Sequence, residues 1–100
     1  MNQSPQSLHR IQVYATPYCG DTRRARRVLD ELRVAYDFID IRQDEAAARR
    51  VEEVTNGFRS SPTIFFPDGD IFVEPSEGAL QVKLQKLAAA GYDLETGPAG

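Results

Sequence analysis

The chain has 100 residues, of which 41% are hydrophobic and 27% charged, and a net charge of -3; this length and balance suit one compact core and exclude disorder or a fibrous repeat. A net-negative domain lacks the basic footprint of a nucleic-acid binder, no run approaches the roughly 18 apolar residues that cross a bilayer, and the polar residues 1–7 do not form a signal peptide. The single cysteine, Cys19, excludes an internal disulfide and a multi-cysteine metal site, and suits a reducing, cytoplasmic setting.

After the polar leader, Ile11, Val13 and Tyr14 make a β-rich run over residues 11–14 that stops at the breaker pair Thr16-Pro17. Residues 20–33 hold no proline, and Ala25, Val28, Leu29 and Leu32 recur at spacings of three and four, which predicts a helix with one apolar stripe. Cys19 then stands at the N-terminus of that helix. Tyr36, Phe38, Ile39 and Ile41 predict a strand within residues 35–41. Asp44 and Glu45 suit a first helical turn, and Ala46, Ala47, Val51 and Val54 carry a second helix to the Asn56-Gly57 stop. Residues 63–66 and 71–73 form a hairpin about Pro67-Asp68-Gly69-Asp70. Pro75-Ser76 opens a last helix, with Ser76 as N-cap and Leu80, Leu84 and Leu87 along one face, and Gly91 ends it.

The order is therefore β-α-β-α-β-β-α. A right-handed crossover makes the first two strands parallel and the hairpin adds an antiparallel pair, giving an α/β fold with a four-stranded mixed sheet flanked by three helices, a thioredoxin-like arrangement. One domain is expected over residues 1–91, with its core at about 10–88, followed by a flexible tail over 92–100.

The chemistry centres on Cys19. A helix N-terminus presents unpaired N–H groups and the positive end of the helix dipole, which favour an anion such as a thiolate. Cysteines so placed have pKa values lowered from about 8.5 into a range of roughly 3.5 to 7.5, and ionisation makes them nucleophiles. A buried, inert thiol is the alternative for a lone cysteine, but Pro17, Tyr18, Gly20 and Asp21 make a breaker-rich polar loop that favours exposure. A basic cluster follows: Arg23 and Arg26 are near enough to serve the thiolate or a carboxylate, while Arg24 and Arg27 fit a solvated face. His9 has no evident role.

The segment Thr16-Pro17-Tyr18-Cys19-Gly20-Asp21-Thr22, after a strand and opening a helix, resembles the active-site loop of glutaredoxins, most nearly the actinobacterial mycoredoxins. Arg59-Ser60-Ser61-Pro62-Thr63 resembles the family segment that holds a cis-proline, and Asp68-Gly69 followed by Pro75-Ser76 resembles its approach to the last helix. The resemblance spans about residues 10–88. It implies Cys19 as the catalytic thiol in a loop of Pro17, Tyr18, Gly20, Asp21 and Thr22. It also implies that Arg59, Ser61, Pro62, Pro75, Ser76 and Arg23 bind the substrate thiol, Ser61 offering its backbone in the manner of an added strand. The implied activity is thiol-disulfide oxidoreduction on proteins carrying mixed disulfides, by a monomer, with mycothiol or glutathione as co-substrate and no metal, nucleic acid or membrane.

The chain departs from the family pattern at several positions. Thr22 replaces the second cysteine of Cys-x-x-Cys, which leaves only monothiol chemistry, and its hydroxyl is placed to hydrogen-bond the thiolate. Thr16 stands where many glutathione-using members carry lysine, which tilts the expectation toward mycothiol, and Ser61 stands where valine is usual. Two other classes of function remain open at this level. One is a redox-inactive binding module, for which Thr22 and the carboxylate of Asp21 beside the thiol argue. The other is an iron–sulfur carrier with Cys19 of two subunits as ligands, for which the expected Cys-Gly-Phe-Ser loop is missing.

Overall fold

The computed structural model describes residues 10–94; His9, the polar leader and residues 95–100 of the expected tail lie outside the described residues. The elements follow the expected order: β1 (Ile11–Ala15), α1 (Gly20–Glu31), β2 (Tyr36–Asp40), α2 (Glu45–Val54), β3 (Thr63–Phe65), β4 (Ile71–Val73) and α3 (Glu77–Ala89). They form one four-stranded sheet in the order β2-β1-β3-β4. β1 runs parallel to β2, and β3 is antiparallel to both β1 and β4. Among the described residues no helix is long and apolar enough to cross a membrane.

Strand periodicity of two sorts the apolar residues onto the two faces of the sheet. Ile11, Val13 and Ala15 of β1, with Ile64 and Phe66 at β3, face Ala25, Val28 and Leu29 of α1 and Leu80, Leu84 and Leu87 of α3. The intervening residues Tyr14 and Phe65 face the other way, where Ala47, Ala48 and Val51 of α2 cover them. Tyr14 and Phe65 meet edge to face at 4.9 Å, a favoured geometry for aromatic pairs. The two central strands are thus buried on both faces, and the ends of β1 and β3 are held in fixed relation to the helices.

Two apolar stripes differ from expectation. In α1 the buried residues are Thr22, Ala25, Val28 and Leu29, and Leu32 is 48% exposed, because the helix ends at Glu31 and the chain reverses through Arg33 (φ 57°). In α2 the buried alanines are Ala47 and Ala48. Ala46 is exposed, since it lies about 100° around the helix from Ala47 and off the line that faces Tyr14. Val54, at the frayed end of the stripe, is likewise exposed. Within the expected tail, Leu94 packs against the α1/α3 core, and its carbonyl accepts from the Ala35 N–H at 2.8 Å.

The helix ends follow one rule. Asp44 caps α2 by accepting from the Ala47 N–H at 3.0 Å, and Ser76 caps α3 by accepting from the Ala79 N–H at 3.1 Å, as side chains of this type do. Each helix is closed by a left-handed residue and a return bond to the last turn. For α1, Arg33 is left-handed and Val34 N–H donates to Leu29 O at 2.8 Å; for α2, Asn56 is left-handed and Gly57 N–H donates to Glu52 O at 2.8 Å; for α3, Gly91 is left-handed and Tyr92 N–H donates to Leu87 O at 3.1 Å. The β3–β4 turn is tied to α3 by Lys83, whose ammonium reaches both Asp68 and Asp70.

Candidate active site

Three segments converge beyond the C-terminal end of β1. The chain leaves β1 through Thr16, and a turn closed by the Cys19 N–H donating to the Thr16 carbonyl (3.4 Å) sets Cys19 as the N-cap of α1. From the other side, the antiparallel register pairs Tyr14 with Thr63, so two residues farther along Thr16 lies against Ser61. There the Ser61–Pro62 peptide is cis, as the resemblance implies. The Ser61 carbonyl is 3.7 Å from the Cys19 Sγ, close enough to accept from the protonated thiol.

The thiol is partly exposed and closes no cap hydrogen bond of its own, yet its surroundings favour the anion. The Thr22 N–H does most to lower its pKa below the ordinary value, and the Asp21 N–H and the Thr22 hydroxyl add to this. Burial and the Asp21 carboxylate push the other way without prevailing. The physical cause is the first turn of a helix, whose N–H groups have no intrahelical acceptor and turn toward a negative cap. No arginine of the basic cluster is among the leading causes of this shift. Arg24 pairs with Asp21, and Arg27 with Glu77 of α3 at 2.9 Å. Arg26 lies over the Phe38 ring at 4.2 Å and donates to the Tyr36 hydroxyl.

Beneath the thiol is a cluster of hydroxyls. Thr16 N–H donates to Ser61 Oγ at 2.9 Å, and Ser61 Oγ lies 2.9 Å from Thr22 Oγ1 and 3.4 Å from Thr16 Oγ1. Thr22 is fully buried. Thr22 and Ser61, two positions at which the chain departs from the glutaredoxin pattern, are therefore hydrogen-bonded to each other.

The expected loop residues sit around Cys19. Tyr18 is 71% exposed beneath the Arg42 guanidinium, 4.9 Å from its ring centre, and Pro17 borders a shallow depression that Arg23 also lines. Gly20 and Asp21 form the first turn of α1. Pro75 and Ser76 lie across a cavity of about 350 Å³ from Asp21 and Arg24, with Glu74 on the same wall. Arg59 is drawn elsewhere: its guanidinium pairs with Glu52 at 2.6 Å and Glu45 at 3.0 Å on α2.

Two contributors were not singled out as site residues from the sequence. The Thr16 N–H anchors the hydroxyl cluster, a role that follows only from the β1/β3 register. Glu74 is held by its N–H donating to the Pro62 carbonyl at 2.8 Å with a left-handed backbone (φ 50°), and nothing in its sequence neighbourhood signals that conformation.

Comparison with known proteins agrees with this geometry. The glutaredoxin family model matches residues 11–72. A Mycobacterium tuberculosis protein described as a glutaredoxin is 38% identical over 78 residues, covering 78% of this chain and 93% of that protein. Mycoredoxin 1 of Corynebacterium glutamicum is 33% identical over 81 residues, covering 81% of this chain and all of that protein. Among solved structures, a mutant of the thioredoxin-like protein BC3987 superposes with a TM-score of 0.67 at 30% identity, over 76% of this chain and 95% of that one. Oxidised glutaredoxin 2 of Chlamydomonas reinhardtii, at 21% identity, shares the fold with a TM-score of 0.66 over 88% of this chain and 90% of that one. With a single cysteine capping α1 beside a cis-proline on a thioredoxin-like sheet, the chain belongs to the glutaredoxin family of thiol-disulfide oxidoreductases.

Proposed function

We propose that this protein is a monothiol oxidoreductase that reduces mixed disulfides between proteins and a low-molecular-weight thiol at Cys19. The observation that carries the reading is the partly exposed Cys19 thiol at the α1 N-cap, with its pKa below the ordinary value. In the first step the Cys19 thiolate attacks the small-thiol sulfur of the mixed disulfide. The old S–S bond breaks, the protein sulfur leaves as a thiolate and takes a proton from solvent, and Cys19 carries the small thiol as a new disulfide. A second small-thiol molecule, as its thiolate, attacks that disulfide, releasing the small-thiol dimer and the Cys19 thiolate. Each mixed disulfide reduced consumes one free small thiol and releases one protein thiol and one small-thiol dimer, whose other half comes from the mixed disulfide. Thr22 stands where a resolving cysteine would, so no internal disulfide competes with the second step.

The small thiol is mycothiol or glutathione. The similarity to a mycoredoxin and the absence of lysine at position 16 favour mycothiol. Its sulfur is held against the Ser61 and Pro62 backbone, and the rest of it extends toward the cavity by Pro75 and Ser76. Arg23 is exposed on the adjoining face, and Arg59 is half exposed despite its two carboxylate partners; both supply positive charge at the rim. The protein acts as a monomer in a reducing cytoplasm, without metal, membrane or nucleic acid. Turnover of a protein–mycothiol mixed disulfide, followed beside its glutathione counterpart, tests the reading: wild type reduces it and Cys19→Ser does not. Retained turnover in Cys19→Ser would sink it. A wild-type thiol that titrates at the ordinary value and shows no turnover would point instead to a binding role, which the opposing charge of Asp21 favours.

A further inference from the structure

The hydroxyl cluster beneath Cys19 is anchored at one end. A backbone N–H only donates, so the bond from Thr16 N–H makes Ser61 Oγ an acceptor. Ser61 then has one proton to place, with Thr22 Oγ1 at 2.9 Å and Thr16 Oγ1 at 3.4 Å. Hydroxyl hydrogen bonds are ordinarily shorter than about 3.0 Å, so Thr22 is the hydroxyl partner of Ser61, and either oxygen of that pair can donate. When Ser61 donates, Thr22 must place its own proton elsewhere, and at 0% exposure it has no water to receive it; a buried donor left unsatisfied is costly. Thr22 is also the third residue of α1 after the Cys19 cap, the position that faces the cap side chain.

We propose that Ser61 is a positioning residue for the reactive thiolate: anchored by the Thr16 N–H, its hydroxyl turns the Thr22 O–H toward the Cys19 Sγ, the terminal acceptor of the chain. The proposal rests on the reading of Cys19 as the reactive thiolate. The charged groups around the sulfur stand outside the chain. They include Asp21 on α1, paired with Arg24, Arg23 beside Pro17, Glu74 and Glu77 lining the cavity next to Asp21, and Arg42 over Tyr18. Substitutions at residues 61 and 22 leave all of them in place, so a change in thiol titration reports the hydroxyls. When the thiol is protonated it donates instead to the Ser61 carbonyl, so the same residue serves both protonation states, through its backbone in one and its side chain in the other.

The test follows iodoacetamide alkylation of Cys19 against pH, with Cys19→Ser as blank, in wild type, Ser61→Thr, Ser61→Val, Thr22→Val and the double variant Ser61→Val/Thr22→Val. Threonine and valine fill the same space and differ by the hydroxyl. Ser61→Thr is expected to keep the wild-type midpoint, and Ser61→Val and Thr22→Val each to raise it by roughly 0.5 to 1 pH unit. The double variant should go no higher than either single one. A wild-type midpoint in folded Ser61→Val, or additive shifts in the double variant, overturns the proposal. Should Ser61→Val fail to fold, Ser61→Ala gives the same comparison, and a raised midpoint in Ser61→Thr equal to that of Thr22→Val would count against the chain. The midpoint is read without any mixed disulfide. Lost turnover with the shifts intact therefore falls on the oxidoreductase reading alone, and intact turnover with unmoved midpoints falls on the hydroxyl chain alone.

Discussion

Cys19 ionises more readily than a free cysteine because a helix begins immediately after it, and the N–H groups of Thr22 and Asp21 have no other acceptor to face. That much was legible in the sequence, from a breaker-rich loop followed by an apolar stripe of helical spacing. Arg24 and Arg27 are exposed, as a solvated face requires, but the partners of the arginines were not legible, because side-chain pairing is decided by where other elements bring their carboxylates. Arg24 and Arg27 are taken up by Asp21 and Glu77, and Arg59 by the acidic row of α2. Asp21 is the charge that opposes the thiolate among the leading causes of its shift, and its removal favours the anion. Asp21→Asn is therefore expected to lower the thiol midpoint and to speed alkylation about two- to threefold at pH values below that midpoint, an effect of the size that an exposed, screened charge exerts. The rate is read by iodoacetamide labelling at constant ionic strength, and an equal or slower rate would show that Arg24 already cancels the carboxylate.

At the scale of the elements, starts were more legible than ends. Ser76 announces α3 as its cap, and Asp44, expected within the first turn of α2, instead caps it, each side chain accepting from a first-turn N–H. Two of the three ends are signalled by Asn56-Gly57 and Gly91, residues that adopt the left-handed conformation at low cost. The end of α1 is not, since Arg33 holds the same conformation (φ 57°) with a side chain that disfavours it. The return bond from Val34, together with the burial of Val34 in the α1/α3 core, overrides the local preference. Arg33→Gly removes the Cβ clash and is expected to stabilise the protein by roughly 0.5 to 1 kcal/mol, raising Tm by a few degrees. Thermal unfolding followed by circular dichroism checks it; a lower Tm would mean that the arginine contributes a contact worth more than the clash.

At the scale of the molecule, Lys83 joins parts of the chain that no local rule connects. Burial opposes its charge, yet the hydrogen bonds it donates to Asp68 and Asp70 outweigh this and hold its pKa above the ordinary value. Lys83 in turn holds the Asp68 carboxyl below the usual carboxylate range. The depressed Asp68 contributes stability that is present above the unfolded carboxylate value and lost as pH falls through the folded one. The raised Lys83 contributes stability that is present below the unfolded ammonium value and lost as pH rises through the folded one. Lys83→Met is thus expected to cost about 1 to 2 kcal/mol at neutral pH, with the difference from wild type shrinking toward both extremes. Urea unfolding across the pH range measures it, and a pH-independent difference would assign the loss to packing against Phe66 and Phe72 instead.

The sequence by itself determined the element order, the fold class and the place of Cys19 at the start of α1, because periodicity, capping residues and breakers act within a few neighbouring residues. It named Thr22 and Ser61 separately, one as a missing cysteine and the other as an unusual neighbour of a proline. Only the tertiary structure joined them: the β1/β3 register sets Thr16 against Ser61, and the start of α1 sets Thr22 within 2.9 Å of the same hydroxyl. Contacts between residues some forty positions apart depend on how strands pair and where a helix docks, and no local preference of the chain encodes that distance.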